Sequence, residues 1–208
     1  NHAEKGVFQY QLITELKEDT VIAGGNAFNS VAESAYVLLP EQLEVEVQSG
    51  LKKWEQETGC SFEYIIENGW LKLMAKGFAA HAANPSEGKN AITAIMKAVS
   101  DLQLSNELGE IASFYMEHIG FNLFGEHMGV GLEDEVSGKL SFNVGMVEVS
   151  DGKLIFSIDN RVPVSYPCKE AQERIEKTLE GTRFSFANPH ITEAIYVPKD
   201  SFLVQTLM

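Results

Sequence analysis

The chain is 208 residues long, 44% hydrophobic and 22% charged, with a formal net charge of −14. Such a length can bury a sizeable core as one domain or two small ones, and such a composition is far from that of a disordered chain. The acidic balance and the lack of clustered basic residues exclude nucleic acid and anionic membrane surfaces as partners, and no apolar run is long enough to span a bilayer. The opening "NHAEKGVFQY" shows no signal-peptide pattern. Cys60 and Cys168 lie far apart and outside any CxxC spacing, which excludes a zinc ribbon or a disulfide scaffold. They read as cytosolic thiols, and the cytoplasm is the expected address.

Phe8, Tyr10 and Leu12 alternate and predict a half-buried strand. Ser34 to Leu39 predicts another, stopped by Pro40, which opens a helix where its missing N–H costs least. Leu43, Val47, Leu51 and Trp54 recur at helical spacing, with acids early, Lys52 and Lys53 late, and Gly59 as the stop. Phe62 to Gly77 predicts a hairpin turning at Asn68-Gly69, a pair that tolerates the positive φ a tight turn requires. After a loop around His81, residues Ala91, Ile92, Ile95, Met96, Val99 and Leu102 form an apolar helix face.

The second half repeats this grammar loosely. Asn106 to Phe121 predicts a helix with Leu108, Ile111, Ala112 and Tyr115 on one face. Lys139 to Arg161 predicts a hairpin turning at Asp151-Gly152. Lys169 to Leu179 predicts a helix with Ala171, Ile175 and Leu179 inward, ended by Gly181; Arg183–Phe186 and Ile191–Val197 predict closing strands. The fold class is therefore α+β: two ferredoxin-like α/β sandwich halves, with helices packed on one face of an antiparallel sheet. The first half is expected at about 7–104 and the second at about 105–200, with the crossing between them at Gly120 to Gly138.

No P-loop, no GxGxxG after a strand, no GxSxG and no HExxH occurs, and "GGNAF" from Gly24 reads as a turn. The histidines are His2, His81, His118, His127 and His190. His118 and His127, near Glu117, Glu126 and Glu133, fit no short-ligand zinc spacing and read as a helix end and an exposed loop, so no metal site is expected in this chain. His190, between Pro189 and Ile191, reads as a loop residue. His81 stands apart. It sits in "GFAAHAANPSEGKNAI", between a strand and a helix, ringed by Ala80, Ala82 and Ala83, which leave room for a substrate. These features suggest part of a site, without a nucleophile or a metal cage.

The segment "GFAAHAANPSEGKNA" resembles the G-x-x-A-H-x-x-x-P-x-x-G-x-N-A segment of the di-zinc aminoacylase/carboxypeptidase/dipeptidase superfamily. More narrowly, the chain is similar to the peptidase V type of Xaa-His (carnosinase-like) dipeptidases. Further segments match in order. "AEKG" from Ala3 resembles the stretch after the last zinc-binding Asp of the first half of the catalytic domain. "GGNAFNSVAESAYVLL" resembles the family's N-x-V-P strand and loop, "GLEDEVSGKLSFNVGMVEV" and "LIFSIDNRVPV" the strands of the lid's second half, and "YVPKDSFLVQTLM" the re-entry into the catalytic domain. The resemblance covers essentially the whole chain. It implies that residues 1–208 are the lid domain of a larger metallopeptidase that hydrolyses dipeptides by attack of zinc-activated water. The cofactor would be two zinc ions held in a catalytic domain that this chain lacks, the partners that catalytic domain and a dipeptide substrate, and the chain alone would be inactive.

The same resemblance implies three site residues. His81 would stabilise the tetrahedral oxyanion, Asn29 would supply a second polar contact to that oxygen, and Arg161 would grip the substrate's C-terminal carboxylate with its planar fork. Plainer roles stand beside these: a loop or helix-cap histidine, a turn asparagine and a solvated strand-end arginine. Two departures from the family pattern matter. Ala32 stands where proline is usual, which loosens the Asn29 loop, and Ala83 replaces a frequent serine, which removes a local hydrogen bond. The doubled length favours a monomeric dipeptidase over the lid of a related deacylase or tripeptidase. The alternative from another class is a stand-alone α+β module that binds a small ligand or another chain.

Overall fold

The computed structural model describes residues 3–197. Asn1, His2 and residues 198–208, which include most of the stretch compared with a re-entry into a catalytic domain, lie outside them. Among the described residues the chain order is β1 (Ala3–Glu4), β2 (Gly6–Glu15), β3 (Ile22–Gly24), β4 (Ser34–Pro40), α1 (Glu44–Thr58), β5 (Ser61–Glu67), β6 (Trp70–Lys76), α2 (Ala91–Asp101) and α3 (Glu107–His118). It continues with β7 (Glu133–Asp134), β8 (Gly138–Lys139), β9 (Ser141–Ser150), β10 (Lys153–Val162), α4 (Cys168–Leu179), β11 (Ser185–Thr192) and β12 (Ile195–Tyr196). Both hairpin tips are built as expected: Asn68 and Gly69 have φ of 53° and 82°, Asp151 and Gly152 of 51° and 70°. Gly59 ends α1 at φ 70°.

Eight strands form one antiparallel sheet in the order β11-β2-β10-β9-β3-β4-β6-β5. Phe8, Tyr10 and Leu12 on β2, Val37 and Leu39 on β4, and Leu154, Phe156 and Ile158 on β10 are buried under the helices and belong to one hydrophobic core. The fold is thus α+β, with helices on one face of an antiparallel sheet. Each group of four strands is a ferredoxin-like half. In the second half, β2, α3, β9, β10, α4 and β11 form a βαββαβ unit into which the first half is inserted after β2.

That insertion departs from the linear division expected from sequence. Residues 6–15, counted with the first half, pair with β10 and β11 in the second. The chain passes between halves at 16–21 and at 102–106, whereas 120–138 joins α3 to β9 within the second half. Alternation identifies a strand and its inward face but carries no information about its neighbours. The short β3 connects the two half-sheets through the pair Gly24–Val147. The seam is tight: Gly25 has φ +69°, and a Cβ there would lie 1.8 Å from the Gly145 carbonyl oxygen.

The start of α3 fastens the inserted half to its host. Glu107, 7% exposed, accepts N–H bonds from Lys17 at 2.8 Å and Glu18 at 3.1 Å and pairs with the Arg183 guanidinium. Burial pushes its pKa up, but the Lys17 N–H, Arg183 and the Glu18 N–H outweigh that and hold the carboxyl below its usual range. A depressed carboxyl stabilises the fold above its unfolded pKa of about 4.3, and that contribution is lost as pH falls through the folded value. Glu107→Ala is expected to cost about 2 kcal/mol at pH 7, since it leaves two N–H groups without their acceptor and removes one partner of Arg183, which keeps Glu110, Thr14 and the Glu15 carbonyl. Urea unfolding at pH 7 and pH 3 checks this: the gap between variant and parent shrinks at pH 3, and an equal gap at both values would refute the assignment.

Candidate functional site

Two loops of the first half run side by side. The Val31 N–H donates to the Ala80 carbonyl at 2.8 Å and the Ala82 N–H to the Asn29 carbonyl at 3.0 Å, so Ser30 and His81 face each other as an antiparallel pair. Paired bonds between Phe78 and Lys89, of 3.0 and 2.8 Å, close the second loop. Asn90 then caps α2, its side chain accepting from the Ile92 and Thr93 N–H groups. A capping asparagine thus opens this helix. Asn90 also donates to the Val144 carbonyl on β9 at 2.8 Å, tying the helix start to the second half.

Strand β9 holds both loops. Phe142 and Val144 turn into the core, so Ser141 and Asn143 turn to the helix-free face. Asn143 Nδ2 donates to the carbonyls of Phe28 and Ser30, both at 3.0 Å, and brackets Asn29. The Ser141 hydroxyl donates to the Ala82 carbonyl at 2.8 Å, directly after His81. On the adjacent β10, Arg161 is the register partner of Ser141 and Asp159 that of Asn143. The three residues singled out from sequence therefore gather at one end of the helix-free face. Asn29 and His81 come from the first half, and Arg161 from the second.

Each has a defined state. His81 is exposed, and its Nδ1 accepts the Ala83 N–H at 3.1 Å. The proton of the neutral ring then sits on Nε2, which points a donor away from the loop. The Ala83 backbone thus provides a local bond where the side chain lacks a hydroxyl. Ala32 is buried and its carbonyl accepts the Ala91 N–H at 2.8 Å, while Asn143 anchors the loop that a proline would have stiffened. Arg161 gives Nε and one Nη2 hydrogen to the two oxygens of Asp159, at 2.7 and 3.1 Å. Asp159 is 0% exposed and also accepts from Gln9 Nε2 at 2.7 Å. The guanidinium keeps three further N–H donors on a fixed plane.

Gln9, Asp159, Ser141 and Asn143 escaped the sequence reading. Asp159 left one signal, its place two residues before Arg161 on the same face of a strand. The other three left none, because their partners are distant in sequence: loop carbonyls for Ser141 and Asn143, and Asp159 on β10 for Gln9. His190, read as a loop residue, lies in β11 opposite Gln9 and shares its cross-strand row with Asp159 and Asn143. His118 stacks on Phe114 with ring centroids 4.4 Å apart, and its Nδ1 lies 3.2 Å from the Phe114 carbonyl. His127 lies on a short 3-10 turn over 126–128. Among the described residues no group of three or more His, Cys, Asp and Glu side chains is placed to hold a metal ion.

A family model described as "Peptidase dimerisation domain" matches residues 68–181, more than half of the chain. The chain belongs to that family. At 25% identity over 219 residues it is similar to proteins named "Putative dipeptidase" from Staphylococcus epidermidis and Staphylococcus aureus. Each alignment takes in 100% of this chain and 46% of the relative, so the chain spans about half the length of the curated relatives it matches. Among solved structures, the aminoacylhistidine dipeptidase of Vibrio alginolyticus aligns over 98% of this chain and 47% of its own, with TM-score 0.34 and 10% identity.

The His81 geometry makes a direct prediction. Long-range 1H–15N correlation of the neutral imidazole should show the Nε2–H tautomer, because Nδ1 is occupied as an acceptor. A dominant Nδ1–H form would mean that the Ala83 contact does not exist in solution.

Proposed function

We propose that residues 1–208 are the lid of a larger, cytoplasmic, zinc-dependent dipeptidase, closing over a catalytic domain elsewhere in the same protein. The observation that carries the reading is the gathering of His81, Asn29 and Arg161 at one end of the helix-free face, with the His81 ring and the Arg161 guanidinium held by their own bonds and the Asn29 loop anchored by Asn143 through its two neighbours. Membership of the peptidase dimerisation domain family and the dipeptidase descriptions of the relatives support it.

The groups suit the roles. The Nε2–H of His81 and the amide of Asn29, carried on adjoining loops, would donate to a substrate carbonyl oxygen as it gains charge, and preorganised donors act most strongly where charge develops. The free edge of the Arg161 guanidinium would bind a substrate carboxylate bidentately, with Asp159 locking its plane beforehand. A dipeptide fits these requirements: one scissile carbonyl with a free carboxylate a few bonds away. The described residues offer zinc no ligand cage, so the metal would be held outside them and the tasks of this chain are binding, orientation and exclusion of water.

The test uses the full-length enzyme. Arg161→Ala should raise KM for a dipeptide about tenfold or more and leave turnover of the C-terminal amide unchanged, as loss of a charged hydrogen-bonded pair requires. His81→Ala should lower kcat by roughly 100–1,000-fold with both substrates. Equal KM values for Arg161→Ala and the parent enzyme would sink the carboxylate role, and an unchanged kcat for His81→Ala the oxyanion role.

A further inference from the structure

Where the two halves meet lies a cavity of about 330 Å³ between the start of α2 and the end of α3, with β9 along one wall. That volume falls within the range of small-ligand sites, which combine apolar walls with a few convergent polar groups. Its walls include Ile119, Phe121, Phe142 and Val144. Two observations define its polarity.

At its base the Thr93 hydroxyl and the Tyr115 phenol, both buried, share one hydrogen bond of 2.8 Å. Two hydroxyls carry two protons and one bond uses one of them. The second remains for an acceptor, and both residues line the cavity. Burial raises the pKa of Tyr115, with the Thr93 bond only partly opposing it, so the phenol keeps its proton. At the rim stands Lys89, whose stem lies against Gly59 and whose ammonium forms no salt bridge among the described residues. Glu57 lines the same rim, but its carboxylate is engaged by Lys97 at 2.9 Å. In a chain of net charge −14 a lysine without a salt bridge, lining an apolar hollow, favours an anion with an apolar body.

From this arrangement we infer that the cavity is a second binding site, for a small apolar carboxylate that also carries a carbonyl acceptor, the chemistry of an N-acylated apolar amino acid. Its carboxylate pairs with Lys89, its carbonyl accepts the spare hydroxyl proton, and its side chain fills the hollow against Phe121 and Val144. The site is separate from the Arg161 end of the helix-free face and does not depend on the function proposed above. It does touch the machinery of that face. Asn143 and Val31 line the cavity, and both make the bonds that hold the Asn29 and His81 loops.

The experiment is an NMR titration of the 15N-labelled 208-residue chain with N-acetyl-L-phenylalanine and, separately, its amide. Saturable shifts from the acid should gather on residues 86–93, 119–123 and 142–144. Lys89→Met, a change at an exposed position, should weaken the acid about tenfold and leave the amide unaffected, the effect of one charge-assisted contact. Phe121→Ala, also at an exposed position, should weaken both. Absence of saturable shifts, shifts gathered instead at His81 and Arg161, or equal binding of the acid by Lys89→Met and the parent would each overturn the assignment.

Discussion

The candidate site exists because β9 serves both halves of the sheet. Its backbone ladder belongs to the second half through β10, and its side chains Ser141 and Asn143 bond to loop carbonyls of the first. Beside them, Gly145 lets the first-half loop approach so closely that a Cβ on it would stand 2.3 Å from the Ala27 carbonyl oxygen. Such an approach is possible only without side chains on either surface. The seam is therefore a backbone-to-backbone joint, and the polar side chains beside it act as clamps. A register slip of one residue in β9 would turn Ser141 and Asn143 into the core and Phe142 and Val144 outward, so the hydrophobic pattern of the strand also protects the site.

Asp159 presents the opposite problem, a fully buried carboxylate. Burial of an isolated charge is costly, and a buried pair is at best near neutral against an apolar replacement. Stability alone does not explain the group. Its three bonds, from Arg161 Nε and Nη2 and from Gln9 Nε2, fix the plane of a guanidinium that is only partly exposed. An arginine held in this way loses less side-chain entropy when it meets a carboxylate, which is the physical benefit of preorganisation. The cost of burying Asp159 makes sense as the cost of a rigid fork.

Much of the local architecture was legible in sequence. Asn68-Gly69 and Asp151-Gly152 marked both long hairpins, apolar periodicity marked all four helices, and Gly59 marked a helix end, because each signal acts over a few residues. Of the site, His81 stood out by its small neighbours. What stayed hidden is non-local. The place of β2 among the second-half strands depends on pairing with partners well over a hundred residues away. Strand β3 is three residues long, too short for alternation to show. Asn143 looked like any strand asparagine until its partners, the carbonyls of Phe28 and Ser30, were placed beneath it. His190 looked like a loop residue because Pro189 interrupts the strand pattern, and the β11 register does shift between Ala187 and His190.

The inserted topology follows the same logic. Because the first half leaves the second after β2 and returns before α3, both crossings lie at one end of the sheet, where Glu107 receives the Lys17 and Glu18 N–H groups of the outgoing crossing and the helix that follows the return begins. The outgoing crossing is thus stapled to the helix that receives the returning chain. Helices α2 and α3, one from each half, pack against each other above the seam. Two halves joined only by Gly24–Val147 in the sheet would hinge. Joined also by a helix pair above and loop clamps below, they are braced on both faces. Asn29 and His81 therefore keep their position relative to Arg161 through contacts that neither half makes alone.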